Sequence, residues 1–209
     1  WNDMEPAMSP DGKFLVFVSS RPERAGGKPI DGFFNGHTWP GMGGNLWRGA
    51  RTAQGWSEPA RVPDMLNNNS STFAPSVTAD DSLYYMQPDA TTKKFRLFRS
   101  QYRDGHYEAA QPVSFSDGNT TEVDPAVAPD ESFIVFSSGR LPKRGLDLFI
   151  AFRNGQNWNT PIYLGDVVNT NGSNAEARLS PDHRTLYFSS DRVVPVSFPR
   201  SPEQAKIDL

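Results

Sequence analysis

Acidic and basic side chains recur in this sequence in a fixed arrangement. Glu5, Asp124 and Glu176 each open a short apolar stretch, and Arg21, Arg140 and Arg192 close the same three stretches. Asp3 and Glu122 stand beside two of the acids. Carboxylates and guanidiniums in this pattern suit ion pairing, or the mouth of a site for a polar ligand, a cation or a peptide. A carboxylate ring also has the oxygen chemistry that takes Ca2+, but no Asp-x-Asp-x-Asp loop supports that, so no cofactor is expected. Paired carboxylates perform glycoside hydrolysis when one pair is unique. Here they repeat with a period, which favours architecture. The three histidines are His37, His106 and His183, and neither His-Glu-x-x-His nor Gly-x-Ser-x-Gly occurs, so no catalytic residue is assigned.

A second candidate is the run from Pro22 to Gly44, dense in glycine and interrupted by prolines. Its composition predicts neither a strand nor a helix. Phe33, Phe34, His37 and Trp39 make it too apolar for a solvated linker. Either these side chains pin the loop to the rim of the fold, or they form a platform beside a binding site.

The elements that hold these residues follow from bulk composition and repeats. The chain has 209 residues, 36% hydrophobic but 12% aromatic, with 17 Gly and 18 Pro. That balance suits thin β-layers joined by many turns. A net charge of −3 gives no electrostatic reason to expect nucleic acid or an anionic membrane as partner. No cysteine is present, which excludes disulfides and thiolate metal sites. No apolar run approaches the ~18 residues of a membrane span. The chain opens on Trp1 rather than Met, as expected if a leading segment has been removed.

Leu46-Trp47, Leu97-Phe98 and Leu148-Phe149 recur at intervals of 51 residues, as do Trp56, Tyr107 and Trp158. Each repeat divides into four short apolar segments parted by turn residues, a four-stranded antiparallel meander. In the third, strand a is expected near 123–128, strand b at 132–138, strand c at 146–152 and strand d at 158–164. Strand b reads Phe-Ile-Val-Phe without alternation, so both of its faces should be covered. Units of about 50 residues with four strands buried on both faces are propeller blades. The expected fold is therefore an all-β propeller, with blades at about 3–66, 67–115 and 116–166 and a partial one at 167–192. Ser201-Pro202-Glu203-Gln204 carries the signals of a helix start within a tail over 193–209. An incomplete blade count predicts a longer polypeptide of five or six blades.

The stretch Pro6-Ala-Met-Ser-Pro-Asp-Gly-Lys-Phe-Leu-Val-Phe-Val-Ser-Ser-Arg21 and its copies ending at Arg140 and Arg192 resemble the TolB-type, WD40-like (PD40) repeat of bacterial envelope proteins. Residues 3–192 carry the resemblance, with Ala79 and Ala177 departing from its prolines. It implies a periplasmic or otherwise extracytoplasmic location and a protein partner received at the channel mouth. Carried onto this chain, it points to Glu5, Arg21, Glu122, Asp124, Arg140, Glu176 and Arg192. The leading expectation is a non-catalytic protein that binds a protein or glycan on the loop-rich face, where b–c and d–a connections gather. The alternative is an enzyme or enzyme-associated propeller, either a glycan-active lyase or hydrolase or the cap of a peptidase.

Overall fold

The computed structural model describes residues 1–34, 36–141, 145–170 and 172–192. Those residues are all strand and turn, and the expected helix start near Ser201 lies outside them. The first sheet contains β1 (Asp3–Met8), β2 (Phe14–Ser19) and β5 (Asn45–Thr52), while β3 (Gly32–Phe34) and β4 (His37–Trp39) form a separate hairpin between β2 and β5. Two short strands, β6 (Gly55–Trp56) and β7 (Ala60–Arg61), both pair with β5. The second unit has β8 (Phe73–Val77), β9 (Leu83–Pro88), β10 (Phe95–Ser100) and β13 (Gln111–Pro112), plus the ribbon β11 (Tyr102–Arg103) and β12 (His106–Tyr107). The third has β14 (Glu122–Val127), β15 (Phe133–Ser138), β16 (Asp147–Asn154), β17 (Asn157–Trp158) and β18 (Ile162–Tyr163). The fourth is the pair β19 (Asn174–Leu179) and β20 (Leu186–Ser190).

Every pairing within these sheets is antiparallel, and the main strands of each sheet follow one another in chain order once the short ribbons and the β3–β4 hairpin are passed over. The first strands of successive sheets, β1, β8, β14 and β19, touch one another and line a common axis. That is the blade arrangement of a β-propeller. Apolar side chains fill the layers between blades. Phe14, Val16 and Leu46 meet Leu83, Tyr85 and Tyr107 between the first two sheets. Tyr84 and Leu97 meet Ile134, Phe136 and Trp158 between the next two. As the unbroken Phe-Ile-Val-Phe run predicts, β15 is covered on both faces.

Two local expectations change. The fourth strand of the third repeat is not one strand over 158–164. Trp158 instead pairs with Arg153 in a ribbon that prolongs β16, and only Ile162–Tyr163 rejoins the sheet. The glycine-rich run is also more regular than its composition predicts. Gly36 adopts φ +76, which closes the β3–β4 hairpin, and the Ser71 hydroxyl accepts from Phe33 N and donates to Phe33 O. Its base is tight, because a Cβ on Gly44 would stand 2.5 Å from both Phe73 and Val18.

The recurrent aromatic of the c–d ribbon packs toward the preceding sheet. Tyr107 joins the layer against the first sheet, and Trp158 meets Tyr84 edge-on at 6.2 Å. Trp56 has no described sheet on that side and is exposed.

Candidate functional site

Each innermost strand carries a β-bulge at the same place, between Met4 and Ala7, Phe73 and Ser76, Val123 and Ala126, and Ala175 and Arg178. The bulged residues Glu5, Ala74, Asp124 and Glu176 all have left-handed φ, from 50 to 57°. A non-glycine residue rarely adopts that conformation, and a bulge is a common place for it. The bulge turns the residue toward the next blade. Ala74 N donates to Glu5 Oε2 at 2.6 Å, and Glu176 N donates to Asp124 Oδ2 at 2.9 Å. Ala74 has no carboxylate to pass on, and there the Ser76 hydroxyl accepts from Val127 N instead.

The predicted acids and arginines thus fall into two tiers. The deeper tier is Glu5, Asp124 and Glu176 on the channel axis. The outer tier lies at the loop-rich end. Arg21 Nη2 meets Asp3 Oδ2 at 2.8 Å, and Arg140 pairs with Glu122. Arg192 Nη2 donates to Val168 O at 2.7 Å and lies 3.3 Å from Asn174 Oδ1. Each arginine folds over the aromatic ring four residues before it, Phe17, Phe136 or Phe188, at 5.3–5.4 Å. The arginines therefore engage their own blades and do not reach the bulge carboxylates.

Burial, the largest cause, raises the carboxyl pKa values of Glu5 and Asp124 despite the backbone N–H that each accepts. Glu176 pushes both further up, and Arg178 opposes it. A raised carboxyl pKa contributes stability that is complete below its unfolded value and lost as pH rises through the folded value. Glu5→Gln keeps an acceptor for Ala74 N without the buried charge. Its melting temperature relative to the parent is expected to rise between pH 4 and pH 8, as melts across that range would show. A constant deficit at every pH would remove the charge argument. The turn acids act oppositely. Asp11, bonded first by Lys13, is held at about 2, and Asp182, bonded first by Ser180, is also lowered. Those turns lose support as pH falls below about 4.

Three features escaped the sequence reading. The first is Asn67 and Asn169, whose side chains clamp the backbone of Leu46 and Leu148 from the d–a loops. In the second repeat the Ser116 hydroxyl accepts from Leu97 N. The second is Arg178. Where the other inner strands place Ala7, Ser76 and Ala126, the fourth places an arginine, and this break in the repeat is the signal that marks it. It lines a vestibule of about 340 Å3 at the a–b-turn end of the channel, with Pro6, Pro75, Pro129 and His183. The third is Met42, which joins Phe33 and Trp39 as an exposed side chain of the hairpin region.

The four aromatic residues of the glycine-rich run divide by role. Phe34 stacks on Phe95 with ring centroids 5.0 Å apart and pins the hairpin to the second blade. Phe33, Trp39 and Met42 are 40, 53 and 54% exposed. His37 is exposed as well. Asn2 ties the hairpin's far end, its Nδ2 donating to Gly41 O at 3.3 Å, and the adjoining Trp1 is exposed. Among the described residues no group of three or more His, Cys, Asp or Glu gathers in a geometry that would hold a metal ion.

Blades of this kind around a shared axis define a TolB-type β-propeller fold. Comparison with solved structures gives the particulars. TolB from Acinetobacter baumannii matches with a TM-score of 0.53 at 15% identity, over 90% of this chain and 37% of that one. A structure assigned to TolB from Agrobacterium tumefaciens matches at 0.52 and 14%, over 92% of this chain and 60% of that one. A puromycin-hydrolyzing peptidase from Mycobacterium tuberculosis matches at 0.52 and 16%, over 85% of this chain and 24% of that one. The chain thus spans less than two thirds of each. No protein-family model matches the sequence, and no curated protein does.

Proposed function

We propose that this protein is a non-catalytic binding module of the bacterial envelope that receives a polypeptide partner on its loop-rich face. One observation carries the reading. Phe33, Trp39 and Met42 are held half-exposed on a hairpin seated by Ser71, Phe95 and the close approach at Gly44. Exposed aromatics on a preformed support are the kind of anchor that dominates binding energy at protein interfaces. The polar outer tier, Arg21 with Asp3 and Arg140 with Glu122, supplies a rim around the channel mouth. The extracytoplasmic location is supported by the repeat's resemblance to envelope propellers. No helix of the described residues is long and apolar enough to cross a membrane. No cofactor is part of this reading.

A photocrosslinker at position 39 is expected to give a discrete protein adduct in an envelope fraction, and one at Gln54, in a turn at the opposite end, is not. Adding Phe33→Ala should abolish the adduct while the melting temperature stays within about 2 °C, as surface substitutions usually allow. Equal labelling from both positions would sink the proposal, and a glycan-only adduct would replace the polypeptide partner with a saccharide.

A further inference from the structure

The junction between neighbouring blades is built twice on one plan at the a–b-turn end. In the first, Arg48 of β5 lies 3.6 Å over the Phe14 ring, and its charge acts on Asp81 in the next blade's turn. Tyr102 packs edge-on against Tyr107 at 5.0 Å. In the second, Arg99 of β10 stands in the place of Arg48, and its Nε meets Glu131 Oε1 at 2.6 Å. Trp158 replaces Tyr107, and Arg153 replaces Tyr102.

That last exchange changes the chemistry of the junction. Where the first has a tyrosine pair, the second gains a guanidinium. Arg153 Nη1 lies 3.7 Å from Glu131 Oε2 and 3.4 Å from the Tyr84 hydroxyl, and its Cζ is 5.1 Å from the Trp158 ring centroid. One carboxylate therefore serves two arginines. Glu108, also at the site, is paired with Arg103 at 3.4 Å. Asp80 also acts on Arg99, and both guanidiniums, Arg99 and Arg153, line a cleft of about 290 Å3. Around Trp158, that cleft is also lined by four side-chain amides, Gln101, Gln111, Gln156 and Asn157.

We propose that this cleft binds an acidic saccharide unit, a sugar ring that carries a carboxylate. The planar fork of a guanidinium matches a carboxylate with two parallel hydrogen bonds. Each amide offers both donors and an acceptor, which suits neighbouring hydroxyls. The volume admits about one sugar ring and falls at the lower edge of small-molecule sites. The site uses none of the hairpin or channel residues, so it stands or falls separately from the loop-rich face.

Isothermal titration of the intact chain with glucuronic acid, glucose and inorganic phosphate tests it. Glucuronate is expected to bind at least tenfold more tightly than either of the others. Arg153→Gln should weaken it tenfold or more, and Asn157→Ala should weaken it with an unchanged melting temperature. Phosphate binding as well as glucuronate would reduce the cleft to a simple anion site and overturn the saccharide. Glucose binding equally well would remove the arginines' role. A lower melting temperature in Arg153→Gln with affinity intact would return Arg153 to the junction, and no binding by any probe would end the proposal.

Discussion

Phe136→Ala is expected to lower the unfolding free energy by about 3–5 kcal/mol. The ring is fully buried in the layer between the second and third blades, 4.5 Å from Phe115 and 6.1 Å from Phe149 by centroid. It also lies under the Arg140 guanidinium, so its removal loosens the ion pair to Glu122 as well as the core. Phe149 is held in β16 between β15 and β18 and cannot collapse far into the space, which places the cost in the upper part of the range. Against a total stability of about 5–15 kcal/mol, this is a large share. For a chain of this size it corresponds to a melting temperature lower by roughly 6–20 °C. Urea unfolding of the variant, with Phe136→Leu as a milder comparison, would measure it. A loss below about 1 kcal/mol would mean that the blades slide together, and that the layer is less rigid than its ring contacts imply.

Asn67→Ala is expected to cost about 2–4 kcal/mol, although it removes little apolar contact. The Asn67 carboxamide is buried, accepts from Leu46 N at 2.7 Å, and donates to Leu46 O at 3.0 Å and Val62 O at 2.8 Å. Truncation leaves these backbone groups without that partner at a place with little access to water. Exchange of the Leu46 amide hydrogen should accelerate, which a loss of packing alone would not single out. The neighbouring Asn68→Ala, at an exposed position, is expected to stay within about 0.5 kcal/mol. Equal effects at the two positions would show that the clamp is not the cause.

The blade architecture was legible because its signals are local. Leu46, Leu97 and Leu148 mark strand c, and unbroken apolar runs mark strands that are covered on both faces. The hairpin over Gly32–Trp39 was not, because what stabilises it is remote. Ser71, 38 residues from Phe33, supplies its anchoring hydrogen bonds, and composition alone registered only glycine and proline. The bulges were hidden for a similar reason. Glu5 and Asp124 adopt left-handed backbone in order to reach an N–H in the next blade, 69 and 52 residues away. The sequence displayed these acids as one set with Arg21, Arg140 and Arg192, and only the fold separates the two tiers. Trp56 repeats faithfully with Tyr107 and Trp158, yet it is exposed, because burial belongs to the blade beside it rather than to the residue.

The left-handed position of the a–b turn carries a consequence for how such a chain changes length. It is occupied by Gly12, Asp81, Glu131 and His183, with φ between 56 and 72°. In the second and third blades this residue answers an arginine of the preceding blade's strand c, so the strained site doubles as half of a coupling. Couplings of this kind keep their register when a whole unit is excised. Joining the first blade directly to the third would set Arg48 against Glu131 and Glu5 against the bulge of Asp124. Loss of a residue inside strand a, strand c or the a–b turn would break them, because it shifts the pairing register. The strand framework of this sequence should therefore grow or shrink by whole blades of about fifty residues, while its loops vary freely, as the bulge bonds that span 69 residues in one repeat and 52 in another already show.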